Sequence, residues 1–417
     1  MKHRLNKETT LFFLSVLCVF FDSYAYFSGG LLIFSKLLLL FFAFYLFIQK
    51  PKLTNVFFLL FIIIFYLLIN FAWSSTDFSS LSHNLNYSFR LLYPIILIFL
   101  LFNSNITLNE PKVRVIYFSI FISFFLLSSL FLGKITGLGA EIIGRGSAFT
   151  GFKGFFIGAN EVGILICVCV LCLSLAYNEK DKKKIVIILL LLALSGVLVF
   201  TKSSLIGSLL CLVYIFHISK HKLIILFIII FCFSYLYFEE YVRINNAFLY
   251  FLSNSFFSSL QEDPLSFFFR GRDIYVNAYL SQYQYVDSAT NNLFQLLIGH
   301  GDYHTVKMVS TGLNLHSEGR FSIEMDSLDL LFGFGFFGIC INLAFFVLIY
   351  ITVKRYMNFC GKSFFVPFLC LISIFLHSFI AGHVAFSLQV TIPLVIVTFY
   401  LNLYNKVIKK TNVVQIH

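Results

Sequence analysis

Residues 57–73, 185–200 and 223–238 are apolar runs without a single charged side chain. Each is long enough to cross, or nearly cross, a hydrocarbon layer about 30 Å thick. Inside such a layer only helices and closed barrels satisfy their own backbone polar groups. Barrel strands alternate apolar and polar residues, and these runs are continuous, so they read as helices. Composition points the same way. Hydrophobic residues make up 59% of the 417 and charged residues 12%, too few to cover a soluble domain of this length.

Twelve spans fit the pattern: 10–28, 30–48, 54–73, 87–103, 114–133, 159–177, 185–200, 203–218, 222–238, 327–353, 364–382 and 387–404. The seventh and eighth are short and joined by a tight turn at 201–204, so a hairpin is the alternative to two full crossings. The start, MKHRLNKETT followed by 11–21, resembles a signal peptide. A second apolar run begins at Leu31 with no soluble domain between, which favours an uncleaved first span.

Lysine and arginine in short loops set the orientation. With the N-terminus inside, the cytoplasmic segments hold 19 of the 30 basic residues, among them Lys2, Lys50, Lys112, Lys182, Lys220, Lys354 and Lys406. Both termini are then cytoplasmic. The net charge of +11 reflects this topology and gives no argument for nucleic-acid binding. The chain divides into spans one to nine (1–238), a large loop on the other face (239–325), and spans ten to twelve with the C-terminus (326–417). That loop carries nine acidic residues against five basic ones, and apolar stretches at 267–269 and 293–298 that should fold it onto the bilayer. The two halves show no repeat, which weakens a transporter built on inverted repeats.

Eight of the nine cysteines lie in apolar runs, Cys360 lies in a basic loop, and the large loop has none, so no disulfide framework is indicated. Cys169 and Cys172 have CxxC spacing but no companion ligands, so no metal is expected there. The chain lacks a phosphate-binding loop, a dinucleotide fingerprint and an HExxH motif, and no cofactor is expected.

Polar residues on the face away from the lysines are the candidates for chemistry. Arg145, in GRGSAFTGFKGFFIGANEVG, has glycine-rich neighbours that let a backbone approach a phosphate closely, and Lys153 follows it. Arg270 and Arg272, in FFFRGRDIY, would both reach a diphosphate; an interfacial anchor is the plainer alternative. Glu324, Asp326 and Asp329 stand at the entrance to the tenth span, where a carboxylate could accept a proton from a sugar hydroxyl or simply favour a helix N-terminus. His300, His304 and His316 in the large loop, and His383 at the outer end of the eleventh span, are further candidates; His377 reads as a helix–helix hydrogen-bonding group. Lys202, in TKSS, could add positive charge beneath a phosphate. Arg90 and Lys36 near span ends read as snorkelling side chains.

The order of these motifs resembles the O-antigen polymerase and O-antigen ligase superfamily. RGSAFTGFKGFFIGANEVG is similar to that family's arginine-containing stretch before a span. TKSSLIGSLLCLVYIF resembles its short hairpin, with Lys202 where arginine is usual, and FFFRGRDIY resembles its arginine at the start of the large loop. EMDSLDLLFGFGFFG places Glu324 and Met325 where ligases have histidine–asparagine, with Leu328, Leu331 and Gly335 keeping the helical pattern. Those acidic residues, and AGHVAFSLQV, look more like the polymerases.

The resemblance implies an all-α, glycosyltransferase-C-like membrane enzyme, inverting and metal-independent, of the bacterial inner membrane. Its donor and acceptor would be undecaprenyl-diphosphate-linked oligosaccharides met at the periplasmic face, and a chain-length regulator is a conceivable partner. Arg145 with Arg270 or Arg272 would neutralise the departing diphosphate. Glu324 or Asp326 would orient or deprotonate the acceptor hydroxyl. Lys153, Lys202, His300, His316 and His383 would line the substrate. A ligase, and from another class a lipid-linked oligosaccharide flippase, are the alternatives.

Overall fold

A computed structural model describes residues 7–28, 30–49, 51–73, 78–104, 106, 111–143, 150–156, 158–177, 181–199, 201–219, 273–283, 296–313, 326–382 and 384–414. The N-terminal helices are α1 (Lys7–Ser23), α2 (Ala25–Ser28), α3 (Gly30–Ile48), α4 (Leu53–Trp73), α5 (Phe78–Phe102) and α6 (Pro111–Thr136). A small hairpin, β1 (Ala140–Ile143) and β2 (Thr150–Gly154), precedes α7 (Ala159–Ala176), α8 (Lys182–Val199) and α9 (Lys202–Ile218). Then come α10 (Asp273–Tyr283), α11 (Asp302–Gly312), α12 (Asp326–Phe359), α13 (Phe365–Ala381) and α14 (Leu388–Val414). The ninth expected span, 222–238, lies outside the described residues, as does most of the expected 239–325 loop.

Among the described residues, five helical stretches are long and apolar enough to cross a membrane: Gly30–Ile48, Ser80–Phe102, Val113–Thr136, Asp326–Phe359 and Leu388–Ile408. The architecture is that of an α-helical membrane protein. Its dressing fits lipid, because Phe41, Phe57 and Phe61 point outward and serines point inward. Buried Ser15, Ser119 and Ser123 donate to carbonyls of their own helices, to Leu11, Val115 and Ser119 respectively, so close helix packing leaves no hydroxyl unsatisfied there. The expected tight turn at 201–204 is a capping box. Thr201 Oγ1 accepts from Ser204 N–H at 3.1 Å, and Ser204 Oγ accepts from Thr201 N–H at 2.8 Å. Helices α8 and α9 leave it packed side by side.

The lysine-rich helix ends gather at one end of the bundle. There Arg114 pairs with Glu8 at 4.0 Å, Lys7 donates to Gln49, Lys362 to the Tyr177 carbonyl, and Lys406 to the Phe102 carbonyl at 3.3 Å. At the opposite end the starts of α5, α12 and α14 meet the ends of α1 and α13. We call these the basic end and the polar end.

Two features of the polar end depart from expectation. The helix of the fourth expected span, α5, begins at Phe78 rather than at 87, because its first turns are amphipathic and pack on α11. The β-hairpin was not expected in an all-α fold. Its strands pair antiparallel from Ala140 opposite Gly154 to Ile143 opposite Thr150. The neighbouring glycines serve this docking: a Cβ on Gly139 would lie 2.3 Å from the Phe152 ring.

Lys36 does not snorkel. Its Nζ is buried and sits 2.7 Å from Asp22 Oδ1 on α1, while Tyr93 donates to the Lys36 carbonyl at 2.8 Å. Removing one partner of such a pair strands a charge and costs about 3–5 kcal/mol, whereas an apolar pair of similar volume is close to neutral. D22L and K36M alone should therefore each lower the melting temperature in detergent sharply, and the double variant should recover most of it. A double variant as unstable as the sum of the singles would show that the pair does not act as a unit.

Candidate active site

The first half of α5 reads SSLSHNLNYSFR, and helical spacing puts Ser80, His83, Tyr87 and Arg90 on one stripe. The His83 and Tyr87 rings stack at 5.0 Å, and the Arg90 guanidinium lies 5.5 Å from the Tyr87 centroid. Opposite this stripe stands the start of α11. His83 Nε2 lies 2.6 Å from Asp302 Oδ2, and the Tyr303 ring closes edge-on at 5.9 Å. The next residue, Asn84, accepts the Tyr303 N–H on Oδ1 at 2.9 Å, which fixes the two helices against each other.

Asp302 is 2% exposed and His83 14%, so the carboxylate is sealed off while the imidazole remains reachable. Burial raises the affinity of Asp302 for a proton, and the hydrogen bond and charge of His83, with the charge of Arg90, work against it. The acid occupies the first turn of α11, where the helix dipole also favours its anionic form. The short contact thus links a sealed carboxylate to a reachable imidazole.

Main-chain pairing delivers Asp302 to this place. Helix α12 is broken at Gly335, where φ is 64° and ψ −163°. A break there frees carbonyls one turn earlier, and the strap 297–301 takes them: His300 N–H donates to Phe332 O at 3.0 Å and Gly301 N–H to Gly333 O at 2.9 Å. The approach leaves no room for side chains, since a Cβ on Gly299 would lie 2.4 Å from the Gly333 carbonyl carbon. Gly335 was expected to continue the helix; instead it interrupts it, and that interruption seats the strap.

Asp326, an expected base, opens α12 and is 1% exposed. Its Oδ2 accepts from Ser378 Oγ–H at 2.8 Å, Val384 N–H at 2.8 Å and Ala385 N–H at 2.7 Å. Three donors on one buried oxygen make it a clasp that holds the turn after α13, and leave that oxygen ill-suited to take a substrate proton. Ser327 Oγ, donating to the Phe379 carbonyl at 2.6 Å, reinforces the same junction.

His300 lies in the strap, its ring 6.3 Å from that of Tyr279. Burial, helped by His304, pulls its pKa from 6.5 to about 4, so at neutral pH it is uncharged and supplies no cation to a diphosphate. Lys153 is half-buried in β2 and Lys202 opens α9, both on the α6–α9 side of the polar end, apart from the α5–α11–α12 cluster. Arg145, Arg270, Arg272, His316, Glu324 and His383 lie outside the described residues. Among the described residues no group of three or more His, Cys, Asp or Glu is placed to hold a metal. Cys169 and Cys172 are buried in α7 as free thiols.

His83 and Asn84 were not foreseen as site residues, and Asp302 was not singled out within the acid–base stretch IGHGDYH that carries it. A polar stripe at i, i+4 and i+7 on the shoulder of an apolar helix is the signal that could have found His83. Its partner is 219 residues away in sequence, and nothing local marks the pairing. No protein-family model matches the chain, and no curated protein matches it.

Proposed function

We propose that the chain is a glycosyltransferase of the bacterial inner membrane, an O-antigen polymerase that joins undecaprenyl-diphosphate-linked repeat units at the periplasmic face. The observation that carries this reading is the order of groups along α5. A reachable imidazole flanked by Tyr87 and Tyr303 stands nearest the polar end. The exposed Arg90 follows, ~10 Å further along the helix axis. Beyond it the helix turns apolar, and Leu91, Pro94 and Ile95 lie beside Phe345 and Phe346 of α12. A lipid-linked oligosaccharide has the same order of hydroxyl-rich sugar, anionic diphosphate and hydrocarbon.

In this reading the chain crosses the membrane twelve times with both termini cytoplasmic, and the basic end faces the cytoplasm. The segment 239–325 is periplasmic. Arg145, Arg270 and Arg272 neutralise the leaving diphosphate, Lys153 and Lys202 line the substrate from the α6–α9 side, and Glu324 lies toward the acceptor. His316 and His383 line the substrate, no cofactor or metal takes part, and a chain-length regulator is a partner this reading allows. The motif resemblance supports the assignments of Arg145, Lys202, the 270–272 arginines, Glu324 and His383.

Deleting the gene and running the lipopolysaccharide on a gel tests the reading. The expected result is core carrying a single repeat unit, restored to a ladder by the wild-type gene. Bare core with accumulated lipid-linked polymer would assign the chain to ligation instead, and intermediates trapped on the cytoplasmic side would assign it to flipping.

A further inference from the structure

Two contacts join α5 to α11 side by side, and they differ in kind. Asn84 is fully buried, and its bond to the Tyr303 N–H already fixes the packing of the two helices. His83 adds a second link to the same helix while its ring stays partly open. Its Nε2 is committed to Asp302, and among the described residues its Nδ1 has no hydrogen-bond partner. A carboxylate partner selects the tautomer with the proton on Nε2, which leaves the Nδ1 lone pair available. A histidine needed only as a tie would be buried with both nitrogens satisfied.

We infer that His83 is the general base of the transfer and Asp302 its positioning residue. This rests on the polymerase reading above and names the group that takes the proton. The hydroxyl oxygen of the acceptor sugar attacks the anomeric carbon of the donor glycan, and its proton passes to His83 Nδ1. The bond from that carbon to the diphosphate oxygen breaks, and its electron pair leaves with undecaprenyl diphosphate. His83 then returns the proton to water. Asp302 stabilises the imidazolium that forms and keeps the ring aimed, while Tyr87 and Tyr303 hold it edge and face.

The titratable groups against the His83 ring are Tyr87 on its own helix and Asp302 and Tyr303 on α11, with Arg90 over the far side of Tyr87 and near enough to act on Asp302. Of these Asp302 alone contacts the ring with a charge of opposite sign.

The test uses the full-length protein in proteoliposomes with the lipid-linked repeat unit purified from its host. H83N should lower kcat by ~10²–10⁴-fold with little change in KM. D302N should lower it less, with KM and melting temperature close to wild type, a split that loss of a merely structural contact would not give. H83N within about threefold of wild type, or D302N with wild-type kcat, overturns the assignment. If H83N fails to fold, D302N decides, and wild-type kcat in D302N overturns the inference. A wild-type protein that joins no repeat units refutes the polymerase reading, and the base assignment falls with it.

Discussion

Replacing Gly335 by alanine should destabilise the protein by at least about 4 kcal/mol, enough to abolish the folded population in detergent at room temperature or nearly so. Its backbone combines φ 64° with ψ −163°, a region that residues with a Cβ scarcely enter. An added Cβ would also lie 2.4 Å from the Leu297 carbonyl carbon and 2.5 Å from the Ile298 nitrogen, so rigid main chain would have to move. The strap that moves is the one bonded to Phe332 and Gly333, and it leads directly into Asp302. Gly361 is the control, because it has φ 60° and open space around it. G361A carries the left-handed strain alone, about 1–2 kcal/mol. Melting temperatures of the two variants in one detergent should therefore differ widely, and equal losses would show that the strap does not seat on the break.

The second large effect is expected at Asp326. D326A leaves the Ser378 hydroxyl and the Val384 and Ala385 N–H groups buried without an acceptor. At about 1–3 kcal/mol for each stranded donor, partly relieved by rearrangement, the loss should be about 3–5 kcal/mol. D326N can turn its amide oxygen into the place of Oδ2 and keep the clasp with weaker, neutral bonds. It should melt close to wild type and retain most of the activity. A catalytic carboxylate behaves oppositely: its amide would be as inactive as its alanine variant, with the fold intact. Thermal unfolding and turnover measured on both variants separate the two roles.

The bundle was largely legible from the sequence because lipid allows few solutions. Uninterrupted apolar runs must be helices there, and lysines mark the helix ends that share a side. The described helices fall where spans one to eight and ten to twelve were expected, and five of them are long and apolar enough to cross a membrane. The early start of α5 was hidden because His83, Asn84 and Asn86 depress the hydropathy of turns that pack on protein rather than on lipid. Lys36 looked like a snorkelling residue because its partner Asp22 sits on another helix. The break at Gly335 was hidden for a different reason. In an apolar run GFGFFG looks like a small-residue packing face, and only the strap 297–301, brought in from elsewhere in the chain, reveals what the glycines accommodate. Of the candidate site, Arg145, Arg270, Arg272, His316, Glu324 and His383 lie outside the described residues. Asp326 was singled out for its charge and proves to be a clasp, whereas the His83–Asp302 pair exists only through tertiary folding.

The most direct measurement is reconstitution of the purified protein with undecaprenyl-diphosphate-linked repeat units as the only substrate. The expected result is a ladder of lengthening glycans, with one undecaprenyl diphosphate released for each new glycosidic bond. Consumption of no substrate, with no diphosphate carrier released by protein that is folded and monodisperse, would contradict it.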